Sequence, residues 1–146
     1  VDEFKLILDE KLVDKYAEYY YEKHPKAKKK PIDKPWHPSV NEWMIMKRPQ
    51  MNMLKQKWKD FGVWWINDLG YQNTQLDNFE IDMRIFFNTK RRHDPDNYVA
   101  KFLHDGFTES GFLADDDGEH LRALTIHTDY DKEYPRTEII VRRINE

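Results

Sequence analysis

Residues 79 to 87 read FEIDMRIFF, in which Phe79, Ile81, Met83, Ile85 and Phe87 alternate with mostly polar residues. Successive side chains of an extended chain point to opposite faces, so this spacing predicts a half-buried strand. Upstream, in MNMLKQKWKDFGVWWINDLG (51–70), the period changes: Met51, Leu54, Trp58, Phe61, Trp65 and Leu69 recur at three and four, with Gly70 where a C-cap belongs. That stripe is core material of a long helix, not a cofactor box. EFKLIL (3–8) reads as a short strand, and EKLVDKYAEYYYEK as a helix with Leu12, Val13, Tyr16, Ala17 and Tyr20 on one face, ended by His24-Pro25. Between these helices, HPKAKKKPIDKPWHP (24–38) is rich in proline and lysine and predicts an extended loop.

Downstream of the 79–87 strand comes a short basic turn. Residues 96 to 110 then predict a helix with Val99, Phe102, Leu103 and Phe107 facing inward, Gly111 closing it, and Asn97, Lys101 and Asp105 on the wet side. LRALTIHT (121–128) and RTEIIVRRI (136–144) read as a closing hairpin around DYDKEYP. The order strand, helix, helix, strand, helix, strand, strand predicts an α+β fold: one domain over 1–146, a mixed sheet with helices packed on it.

Charged residues make up 35% of the 146, and mean hydropathy is −0.95, so the core must be small. Five Trp, eight Tyr and eight Phe supply much of its buried area. A chain of this kind often gains from a partner subunit. No apolar run is long enough to span a membrane, and the opening VDEFKLILDE lacks a signal-peptide layout, which leads to the expectation of a cytoplasmic protein. Without cysteine, any metal is held by oxygen or imidazole. The net charge of −3 argues against a nucleic-acid binder until its distribution is considered. Acids concentrate in 94–119 and 129–133, whereas KAKKK (26–30), KQKWK (55–59) and KRR (90–92) are locally basic.

RRHDPDNYVAKFLHDGFTESGFLADDDGEH (91–120) carries the chemistry. Two carboxylates about 4 Å apart repel by roughly 4 kcal/mol at an effective dielectric of 20, so a cluster of them calls for a cation. Mg²⁺ or Mn²⁺ prefers carboxylate and water oxygens, which makes the Asp94-x-Asp96 pair plus a later aspartate a plausible phosphodiester-cleaving site. The competing explanation is helix capping, by Asp94 with Pro95 at the first helical position or by Asp96 one turn on. Lys101 has its own plain role as a surface partner of Asp105, and DDDGE is commonly a solvated turn. Neither acidic cluster has EF-hand spacing. His93, His104, His120 and His127 show no metal-motif spacing and read as ordinary polar or packing residues.

Taken together these residues resemble the RusA family of Holliday-junction resolvases. The family pattern is a basic turn, DxDN, a nearby Lys, D-[AG]-[LF], a Gly and a terminal DD; here it is RRHDPDN, Lys101, DGFTESGF and Asp115-Asp116. PWHPSVNEW (35–43) resembles the family's PxxPSxN segment, and the likeness covers the first strand and residues 35–144. The resemblance implies a homodimer that cuts opposed strands of a four-way DNA junction with Mg²⁺ or Mn²⁺, in a bacterial or phage-infected cell. It implies Asp94, Asp96 and Asp116 as metal-binding catalytic acids and Lys101 as the lysine that stabilises charge on the phosphate. Asn97 matches the family's Asn. Lys90, Arg91, Arg92 and Asn97 are expected DNA contacts, with Lys28, Lys29 and Lys30 as weaker ones; Asp115 and Asp105 are second-tier acids.

Three features depart from the pattern. Three residues, YVA, separate Asn97 from Lys101 where two are usual, an extra turn of about 100 degrees on a regular helix. The helix and basic loop at about 9–34 have no counterpart and read as an added DNA-contacting or dimer-contacting element. Asp117 extends the terminal pair to three; on an extended chain Asp115 and Asp117 face one way and Asp116 the other. Two rivals remain: a branched-DNA-binding protein of the same fold that has lost cleavage, and a metal-dependent phosphatase or nucleotide hydrolase acting on small substrates.

Overall fold

The computed structural model describes residues 2–115 and 117–145. Strand β1 (Glu3–Asp9) runs directly into helix α1 (Glu10–Lys23). The change of direction is fixed by Asp9, whose carboxylate accepts the Leu12 N–H at 2.9 Å as an N-cap. Val13, Tyr16 and Ala17 are buried and Leu12 and Tyr20 half-buried, the face expected from the sequence. α1 lies on helix α3 (Arg48–Leu69), where the Tyr16 ring is 5.0 Å from both Phe61 and Trp64. A short helix α2 (Val40–Met44), capped by Ser39 Oγ on the Glu42 N–H, precedes α3.

α3 ends as the sequence predicts, on Gly70 at φ 80°. Its buried residues are Trp58, Phe61, Gly62, Trp65 and Ile66; the predicted stripe overruns the core at both ends, with Met51 and Leu54 half-buried and Leu69 39% exposed.

Strand β2 (Phe79–Phe87) has the predicted bounds, and each of its five alternating apolar residues is buried. The four-stranded sheet runs β1-β4-β2-β3, with β3 spanning Leu121–Tyr130 and β4 Arg136–Arg143. β4 lies antiparallel to both β1 and β2, while β3 runs parallel to β2. The expected β3–β4 hairpin is therefore not formed: β2 lies between the two strands. Burial explains the order. Thr137, Ile139 and Val141 of β4 are buried and suit the sheet centre, whereas no β3 residue is fully buried and that strand tolerates an edge.

A parallel β2–β3 pair needs a crossover, which helix α4 (Lys101–Glu109) supplies. The predicted 96–110 helix is broken: a single 3-10 turn (Pro95–Asn97) is followed by three irregular residues before α4 begins. Tyr98 and Ala100 are buried where Val99 was expected to be, and Val99 is half-buried. α4 crosses α3 backbone to backbone at Gly62 and Gly106, where a Cβ on Gly106 would stand 2.5 Å from the Lys59 carbonyl oxygen. Among the described residues the outcome is one α+β domain with a four-stranded mixed sheet and four α-helices. Among the described residues, no helix is long and apolar enough to cross a membrane.

Candidate functional site

The acidic turn after β2 is held from below by aromatic packing. His93 stacks on Phe87, the last residue of β2, at 3.7 Å and 4° from parallel, and its carbonyl accepts the Thr128 hydroxyl of β3 at 2.7 Å. Four residues after Asp94, Tyr98 returns to the same ring at 4.9 Å. Asp94, Pro95, Asp96 and Asn97 thus form an arch whose two ends rest on Phe87. Burial, then the charges of Glu42 and Asp94, push the Tyr98 phenol up.

Neither aspartate caps a helix with its side chain. Asp94 flanks the 3-10 turn but makes no side-chain cap; its Oδ1 accepts from Arg92 Nε at 2.8 Å. Asp96 lies inside that turn and is exposed, and the residue flanking α4 is Ala100. The capping explanation for these two carboxylates is not what the chain uses. Asn97 faces another segment: its Oδ1 accepts the Asn41 N–H at 3.0 Å, joining the two stretches that carry the family resemblance.

Lys101 opens α4, and its ammonium is 3.3 Å from Asp105 Oδ1, the plain i,i+4 pair foreseen from the sequence. Because α4 starts at Lys101, Asn97, Lys101 and Asp105 do not share one helix face. On the basic side of the arch, Lys90 Nζ lies 5.3 Å from the centre of the Tyr130 ring, and Arg91 is exposed. These residues with Thr89, His93 and Thr128 line an open depression of about 310 Å³. A second cleft of about 330 Å³, on whose lining are Trp36, Glu42, Arg91, His93 and Tyr98, adjoins the arch. Lys28 and Lys29 are exposed on the 24–38 loop, whereas Lys30 is paired with Asp14 at 2.6 Å and ties that loop to α1.

Asp116 lies outside the described residues. Its neighbours Asp115 and Asp117 come together with His120, all three offering ligand atoms within 4.8 Å of one another. His120, read from spacing as an ordinary polar residue, is central to this group. Its Nδ1 is 2.6 Å from Asp117 Oδ1 and its Nε2 3.3 Å from Asp77 Oδ1. The hydrogen bond to Asp117 raises the imidazole pKa and lowers that of the carboxyl. A protonated His120 is therefore itself a counter-charge for the acids. Among the described residues, neither Asp94 nor Asp96 belongs to a group of three such side chains.

Two contributors escaped the sequence reading. His37 is buried and accepts the Phe102 N–H at the start of α4, and Thr128 pins the acidic turn to β3. PWHPSVNEW reads as a motif, but nothing local in it announces which segment it meets. Comparison with protein-family models and with curated proteins gave no match.

Proposed function

We propose that this protein is a metal-dependent endodeoxyribonuclease that cuts branched DNA, with the four-way junction as substrate, acting as a homodimer in the cytoplasm of a bacterial or phage-infected cell. The observation that carries this reading is the presented arch: two aspartates on a firmly seated turn, neither caps a helix, beside a basic edge. Asp94 and Asp96 offer only oxygen donors, which fits Mg²⁺ or Mn²⁺, and Asp116 is the third acid by family resemblance. When bound, such an ion lowers the pKa of water and offsets charge on the leaving oxygen. Lys90 and Arg91 place positive charge along the side where a phosphate backbone would pass, Arg92 sharing its charge with Asp94. Lys101 adds one ammonium at the start of α4.

The test is cleavage of an end-labelled four-way junction by the wild type and by Asp96→Asn across a Mg²⁺ titration. Nicks on opposed strands from the wild type alone support the reading; equal cutting by both removes Asp96 from the mechanism. The second reading, a junction-binding protein without cleavage, is favoured by the Lys101–Asp105 ion pair, which engages the lysine with a carboxylate. Retardation of the junction without nicks in Mn²⁺ is its signature.

A further inference from the structure

His37 is 3% exposed, with its ring between Trp58 of α3 and Phe102 of α4, 5.1 Å from each. Its Nδ1 lies 2.8 Å from the Pro38 carbonyl oxygen, and its Nε2 lies 3.2 Å from the Phe102 amide nitrogen. A carbonyl can only accept and an amide can only donate, so the proton is on Nδ1 and Nε2 is the acceptor. Only the neutral ring can do both. Burial, reinforced by His104, lowers the His37 pKa to about 3 against the opposing bond to Pro38, so the neutral form persists across the physiological range.

Phe102 is the second residue of α4, a position whose N–H has no partner inside the helix. Ala100 supplies no cap, and the acceptor comes instead from a ring 65 positions upstream. The same loop is fastened to the sheet, since Thr137 Oγ1 of β4 donates to the Pro35 carbonyl at 2.6 Å within the core. A continuous path therefore runs from β4 through Pro35 and His37 to the residue after Lys101.

We propose that His37 is a positioning residue that fixes where α4 begins and so where Lys101, its first residue, stands. Its part in the reaction rests on the nuclease reading above. His37→Phe keeps a ring but has no acceptor, whereas His37→Gln restores an acceptor near the place of Nε2. In His37→Phe, amide exchange at Phe102 quickens about tenfold, and kcat for junction cleavage falls about tenfold while junction binding stays within about twofold. His37→Gln recovers most of both.

Unchanged exchange and kcat in His37→Phe, or a Gln variant as impaired as the Phe variant, overturns the proposal. If His37→Phe fails to fold, nitrogen-15 shifts of the wild-type imidazole decide: an Nε2-protonated ring overturns it, and an Nδ1-protonated ring coupled to the Phe102 amide sustains it. A wild type that binds junctions without cutting sinks the nuclease reading alone, because exchange at Phe102 in the two variants still settles what His37 holds.

Discussion

The imidazole of His93 lies flat on the ring of Phe87, 3.7 Å away and 4° from parallel, one residue before the Asp-Pro-Asp arch begins. Such a stack contributes about 0.5–1.5 kcal/mol beyond its buried area. Burial lowers the His93 pKa, which favours the neutral ring in the stack. His93→Ala should therefore loosen the arch without unfolding the sheet beneath it. Hydrogen exchange at Asn97 and Tyr98, whose N–H groups donate to the Asp94 and Pro95 carbonyls, is expected to rise about tenfold while β2 amides remain protected. Equal acceleration in β2 would mean that the ring supports the whole core.

The α3–α4 crossing leaves no room for a side chain. A Cβ on Gly106 would meet the Lys59 carbonyl oxygen at 2.5 Å, and backbone cannot swing aside as a flexible side chain would. Gly106→Ala is expected to cost about 1–3 kcal/mol, read as a lower urea midpoint. Gly118, with nothing within 4 Å of its built Cβ, is the control, and its Ala variant should unfold with the wild type.

Acid should destabilise the fold through His37. Its pKa is lowered to about 3 in the folded protein from an ordinary 6.5, so between those values the unfolded chain binds the extra proton. Stability from this group is intact above about pH 6.5 and declines as pH falls toward 3, by at most about 1.4 kcal/mol per pH unit. His120 has the opposite sign: its pKa is raised, so its contribution is present at low pH and is lost as pH rises through the folded value. Urea unfolding at several pH values, with His37→Gln as comparison, separates them; the variant should lose most of the slope between pH 6 and 4.

Local periodicity made part of this fold legible and long-range pairing hid the rest. β2 was readable to its bounds because Phe79 through Phe87 alternate without interruption, and α3 announced its end through Gly70. The hairpin expectation failed because strand order depends on which strand best fills the sheet centre, and β4 outcompetes β3 through Thr137, Ile139 and Val141. The start of α4 was unreadable for a related reason. The hydrogen bonds that shape it come from Asn41 and His37, 56 and 65 positions away. In the site, the i,i+4 pairing of Lys101 with Asp105 was visible from spacing, whereas the meeting of Asp115, Asp117 and His120 depends on how one turn folds back.

The contact between Asn97 Oδ1 and the Asn41 N–H, 3.0 Å long, offers the sharpest test of whether the two resembling segments act as one unit. Asn41 lies in the first turn of α2, where its N–H has no helical partner, so Asn97→Ala removes the acceptor at an exposed site for about 0.5–1 kcal/mol. Asn97→Asp keeps an acceptor and makes the bond charge-assisted, while adding a third carboxylate to the arch. Stability should therefore fall in the Ala variant and hold in the Asp variant at neutral pH. If Asp94 and Asp96 gather a divalent cation, the extra carboxylate should also strengthen binding of Mn²⁺, measured by calorimetry, whereas the Ala variant should bind no more tightly than the wild type. Unchanged Mn²⁺ affinity in Asn97→Asp would separate the arch from metal binding altogether.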